Sequence, residues 1–167
     1  MRRFSLRFAY FLILGFCASL SATAEEPLFS LTIAPITAPL KSGAELRVHV
    51  TVTNTSGSMI GFVRSPGPNP EEGFRYHVDV RDQEGTPAPP STYVRELKDK
   101  NKVDFQSSIA HWLKPGESFT DEILVTKIYD LSAPRTYNIL VSREIPPAQH
   151  LEKGEIKSNT ITVTVTK

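Results

Sequence analysis

The sequence predicts an all-β protein, an antiparallel sandwich of roughly seven to nine strands. Three observations carry that expectation. Apolar and polar residues alternate with period two in several runs, which places one face of each run in a core and the other in water. Turn residues recur between those runs at intervals of about 8–12 positions. All 13 prolines lie beyond residue 24, and proline removes a ladder donor and breaks helices.

In chain order, residues 1–24 read as a cleaved export signal. Arg2, Arg3 and Arg7 form a cationic start, and Phe8–Leu20 is an apolar run too short to span a bilayer comfortably. Ala22-Thr23-Ala24 then has the small-x-small pattern of a cleavage site. An uncleaved anchor is the alternative. A lipoprotein reading on Cys17 is opposed by the bulky Phe16, and a twin-arginine reading of Arg2-Arg3 lacks any cofactor motif that calls for folded export. Cleavage leaves residues 25–167 as one domain, periplasmic or extracellular, with no membrane contact of its own. Three of the 19 basic residues depart with the signal, so 16 face 18 acidic residues, a net charge of −2. That balance speaks against nucleic acid as a partner, because phosphate binding needs a clustered cationic surface. The one cysteine departs too, which excludes disulfides, thiolate metal sites and a cysteine nucleophile.

Leu28–Ile33 is the first expected strand. Leu46–Thr53 is the clearest one, with Leu46, Val48, Val50 and Val52 alternating with Arg47, His49, Thr51 and Thr53. The turn Asn54–Ser58 leads to Met59–Arg64, and a proline loop over 65–70 leads to the alternating run Tyr76–Arg81. A second proline loop covers 86–90. Tyr93–Asn101 is charged, with Glu96 and Lys100 spaced i,i+4, and fits a short helical turn. Phe105–Leu113 and Phe119–Ile128 flank the turn Lys114–Glu117. Tyr137–Ser142 follows Ser132–Arg135, and Ile161–Val165 alternates with threonines to the end.

Catalytic patterns are missing from this sequence. There is no Gly-x-Ser-x-Gly elbow, no phosphate-binding glycine loop, and no serine in a tight turn beside a histidine. The reading is therefore of a non-enzyme without cofactor. A metal-binding or enzymatic alternative rests on His49, His77 and Asp79, which alternate with apolar neighbours on expected wet faces. Met59 reads as a gap-filling core residue. Trp112 beside His111 reads as half-buried packing, with a ligand platform as the alternative. The acidic pairs Glu71-Glu72 and Asp121-Glu122 read as solvated charge, and adjacent acids on a strand point apart. Arg95, Lys98, Lys100 and Lys102 alternate with acids, so their field nearly cancels.

Several turn motifs fall in a familiar order. They are Val50-Thr-Val-Thr-Asn-Thr-Ser56, Tyr76–Gly85, Leu113-Lys-Pro-Gly-Glu-Ser118, Tyr129-Asp-Leu-Ser132, Pro134-Arg-Thr-Tyr137 and Ser158–Val165. In this order the chain resembles exported bacterial immunoglobulin-like domains and is similar to the bacterial intracellular proteinase inhibitor family. The resemblance implies an immunoglobulin-like sandwich and a protein partner such as a protease. It also implies a corner role for Tyr137, whose hydroxyl would bond nearby backbone. Arg135 stands where the family pattern has glycine, so either the turn differs or the side chain has a task of its own. In such a sandwich two loops share a recognition end. They are Asn54–Ser58, with Asn54 and Ser56, and Arg143–Lys157, with Arg143, Ile145, Pro146, Gln149, His150 and Leu151. Proline stiffening would lower the ordering cost of binding there. A purely structural accessory domain is the third reading.

Overall fold

The computed structural model describes residues 27–36, 39–64, 76–100, 109–145 and 154–167. Pro146, Gln149, His150, Leu151 and the expected signal at 1–24 lie outside the described residues. Most of the described chain is strand. In order, β1 is Phe29–Pro35, β2 Leu40–Lys41, β3 Arg47–Asn54, β4 Ile60–Arg64 and β5 Tyr76–Asp82. Helix α1 is Thr92–Lys100, followed by β6 Ile109–Leu113 and β7 Ser118–Leu124. Helix α2 is the single turn Val125–Ile128, followed by β8 Thr136–Glu144, β9 Glu155–Lys157 and β10 Ile161–Thr166. The all-β expectation holds. Ten strands are found among the described residues, more than expected, because β2 and β9 are too short to carry a periodic signal.

One sheet has the order β1-β3-β7, all antiparallel. The second has the order β2-β10-β8-β5, with β9 paired to the far part of β8 and β2 parallel to β10. A two-stranded ribbon, β4-β6, completes the set. The alternation acts as the sequence indicates. Val48, Val50 and Val52 are fully buried and share one core with Val78, Val80, Ile139, Val141, Val163 and Val165 from the second sheet. The opposite faces carry cross-strand hydroxyl pairs, Thr51 with Thr120, Thr53 with Ser118 and Thr136 with Thr164, at 2.8–3.1 Å.

The expected strand Phe119–Ile128 is a correction. It stops at Leu124, because Val125 turns inward to bury and donates its backbone N–H to Leu46 O, while Leu46 N–H donates to Thr126 Oγ1. The four-residue helical turn that follows delivers Tyr129 to the other side, where its hydroxyl donates to Val78 O at 2.6 Å. Helix α1 begins after Ser91, whose Oγ accepts the Val94 N–H as an N-cap.

The end where β5 runs toward β8 is closed by turn chemistry. Gly85 adopts φ +82°, which a side chain would resist, and lets the turn after Asp82 close with its N–H on Asp82 O. Asp82 Oδ1 accepts from the backbone of Glu84 and Thr86, and Oδ2 accepts from Arg135 Nη1 at 2.9 Å. Arg135 thus has a task of its own, pinning the start of β8 to the end of β5. The Tyr137 ring is buried and its hydroxyl donates to Ala133 O at 3.4 Å, the corner geometry that the resemblance implied.

Candidate recognition surface at the Trp112 end

The opposite end gathers the finish of β3, the starts of β1, β5 and β7, and the finish of β8 around the β4-β6 ribbon. Asn54 closes β3 there and is 1% exposed. Its Nδ2 donates to Ser58 O and Leu113 O at 2.7 and 2.9 Å, while its Oδ1 accepts from the Ser56 N–H and hydroxyl. Its backbone N–H donates to Glu117 O, and its carbonyl accepts from Gly116 N–H. One residue therefore ties together the 55–58 loop and the end of β6 through its side chain, and the 114–117 turn through its backbone.

Beneath this end the interior is aromatic and charged. Phe62 of β4 stands edge-on to Phe29 of β1 and Phe119 of β7, at 5.3 and 5.6 Å between centroids. His111 of β6 meets Phe119 in the same way at 5.1 Å. The Arg143 guanidinium of β8 lies 4.6 Å from the Phe62 centroid and 5.1 Å from that of Tyr76. The Tyr76 hydroxyl donates to Asp121 Oδ2 at 3.1 Å, across the gap between the two large sheets. Burial drives the Tyr76 hydroxyl well above its ordinary pKa, with the nearby Arg143 cation opposing and the Asp121 carboxylate reinforcing the rise. Tyr76, Asp121 and Arg143 are 7%, 5% and 4% exposed, so the group joins the two large sheets and does not face solvent.

Two large apolar side chains stand exposed on the surface above it. Gly61 of β4 is directly opposite Trp112 of β6. A Cβ on Gly61 would sit 2.9–3.1 Å from Cζ3, Cη2 and Cε3 of that indole. Three consecutive ring atoms at nearly equal distance mean that the ring lies flat on the glycine, with its other face turned outward. Trp112 is 61% exposed, and Met59, two residues before Gly61, is 52% exposed.

These positions revise several expectations. Asn54 is a buried hub and Ser56 one of its partners, so neither is a free loop contact. Arg143 belongs to β8 and is buried, because it extends the inward face that Tyr76 shares across the pair. Ile145 is half-buried and folds back onto the core. Met59 and Trp112, expected in or against the core, are open to solvent. Asp121 is buried rather than solvated, while its neighbour Glu122 points to water and pairs with Arg47. Gly61 carries only a weak signal in the sequence, a glycine inside the otherwise apolar run Met59–Val63, and the isolated tryptophan it meets lies on a distant strand.

His49 and His77 sit on the outer faces of different sheets, β1-β3-β7 and β2-β10-β8-β5, and so point away from each other. Asp79 is engaged by Arg81 Nε at 2.9 Å. Among the described residues no three His, Cys, Asp or Glu side chains converge on a metal position. No helix of the described residues is long and apolar enough to cross a membrane. Comparison with known proteins adds no relative: no family model matches this chain, and no curated protein matches it.

Proposed function

We propose that residues 25–167 form an exported, non-catalytic binding module, an immunoglobulin-like sandwich that takes a protein partner at its Trp112 end. The observation that carries this reading is a solvent-facing indole laid flat on Gly61, beside exposed Met59, on a scaffold locked by Asn54. Tryptophan anchors dominate protein interfaces, and a rigid anchor loses little entropy when it is covered. The cluster of Arg143, Tyr76, Asp121 and the phenylalanines supports the ribbon from below. The likeness to the proteinase inhibitor family makes a protease the first partner class to test.

The test compares residues 25–167 with a W112A/M59S variant as bait for exported proteins, with matched circular dichroism as proof of fold. The expected result is a partner retained by the native module and lost by the variant. Equal recovery by both overturns the assignment of this end.

A further inference from the structure

We infer that, while the N-terminal segment stays attached, the Trp112–Met59 face rests on the surface of the bilayer that holds that segment. This rests on the proposed export reading of residues 1–24 and goes beyond the protein-binding one, because it concerns an earlier stage, when the apolar run Phe8–Leu20 is still joined to the fold.

The argument begins where the described chain enters the fold. Leu28 O accepts the N–H groups of both Thr55 and Ser56 at 3.1 Å, and Pro27 O accepts the Thr55 hydroxyl. Those three bonds pin the entry point to the loop that runs into Met59. Asn54 ties the same loop, through Ser58 O, to Leu113 O, one residue after Trp112. The segment therefore leaves the molecule at the end that exposes Trp112 and Met59. Six residues, 21–26, separate the apolar run from Pro27. Fully extended, they reach roughly 20 Å. An embedded Phe8–Leu20 run thus holds this end within that distance of the lipid headgroups, at a high effective concentration.

The chemistry of the face suits that neighbour. Indole is amphipathic and prefers the boundary between headgroups and acyl chains, and a flat ring with one open face needs no groove to receive it. A patch of two side chains is too small to hold a domain on a membrane by itself, so the tether is part of the device. Cleavage after Ala24 then releases the face to a protein partner.

Trp112 is the only tryptophan in the chain, so its emission reports on this face alone. The experiment uses the full chain, synthesised without signal peptidase in the presence of phosphatidylethanolamine/phosphatidylglycerol vesicles. The expected result is a blue-shifted Trp112 emission that is largely lost when the lipids carry brominated tails and is shielded from aqueous acrylamide. A W112F/M59W variant moves the probe to the neighbouring position and is expected to behave alike. A W112F/Q83W variant moves it to the exposed turn at the opposite end and is expected to remain open to acrylamide. Trp112 as accessible to acrylamide as the probe at 83 overturns the inference, as does equal quenching of both by brominated lipid. A blue shift without lipid that grows with protein concentration assigns the face to a second copy and also overturns it. The protein-partner test uses residues 25–167 without lipid, so the two proposals fail separately.

Discussion

At the Arg135 end, polar groups are satisfied mostly by close neighbours in sequence. Asp82 bonds Glu84 and Thr86, and Tyr137 bonds Ala133, while the Arg135–Asp82 pair and the Ser42 hydroxyl on Ser132 O reach farther. At the Trp112 end the partners are distant. Asn54 bonds Leu113, Tyr76 bonds Asp121, and Arg143 lies over Phe62. The first end covers a buried carboxylate, Asp82, with an exposed arginine and hides its aromatic ring. The second buries its charge and exposes its aromatic ring. Local turn chemistry closes a sheet end cheaply, whereas a buried network spanning three sheets makes each member depend on the rest.

If the comparison is sound, substitutions at the two ends should differ in size. Arg143→Ala is expected to have the largest effect, about 3–5 kcal/mol of lost stability, because truncating a buried charged cluster leaves its remaining members uncompensated. Urea unfolding of residues 25–167 measures it, and a loss near zero would show that the cluster is dispensable. Asn54→Ala is expected to cost about 2–3 kcal/mol, since it strands the Leu113 and Ser58 carbonyls and the Ser56 N–H. At the other end Tyr137→Phe keeps the ring and loses one long hydrogen bond, for about 0.5–1 kcal/mol in the same assay.

The pH dependence sharpens the contrast. Backbone N–H groups of Thr86 and Glu84, and then Arg135, hold the Asp82 carboxyl below its ordinary value. Its folded pKa is depressed, so its contribution is fully present above about pH 4 and fades as pH falls through the folded value. Asp82→Asn should remove that component, leaving a smaller drop in the urea midpoint between pH 7 and pH 3 than the native chain shows. The smallest expected change in stability is that of Trp112→Ala, within about 0.5 kcal/mol for an exposed side chain, accompanied by the greatest loss of partner retention.

The same contrast explains what was legible in the sequence. Strands β3, β5 and β10 stand out because their buried faces repeat every second residue, a purely local pattern. Glu96 and Lys100 point to α1, and Pro115-Gly116 points to its turn, by equally local rules. The surface was harder. Asn54 reads as a loop contact because it is polar and opens a turn, yet it continues the inward face of Val48, Val50 and Val52, and its partners at Leu113 and Glu117 lie far along the chain. Asp121 reads as solvated charge and Arg143 as a loop contact because no local rule marks a strand residue whose partner is on another sheet. Gly61 and Trp112 become one feature only through the β4-β6 pairing.

The break between β9 and β10 has a consequence of its own. There Asn159 turns its amide onto the outer edge of β1, accepting from Ile33 N–H at 2.8 Å and donating to Ile33 O at 3.0 Å. Two residues on, Pro35 has no N–H to offer that edge. An unguarded strand margin templates the addition of another molecule's strand, the first step of amyloid-like growth. A single side-chain amide and a single ring thus blunt the half of β1 that would otherwise invite it, in a chain whose one cysteine can form no internal disulfide to resist such rearrangement.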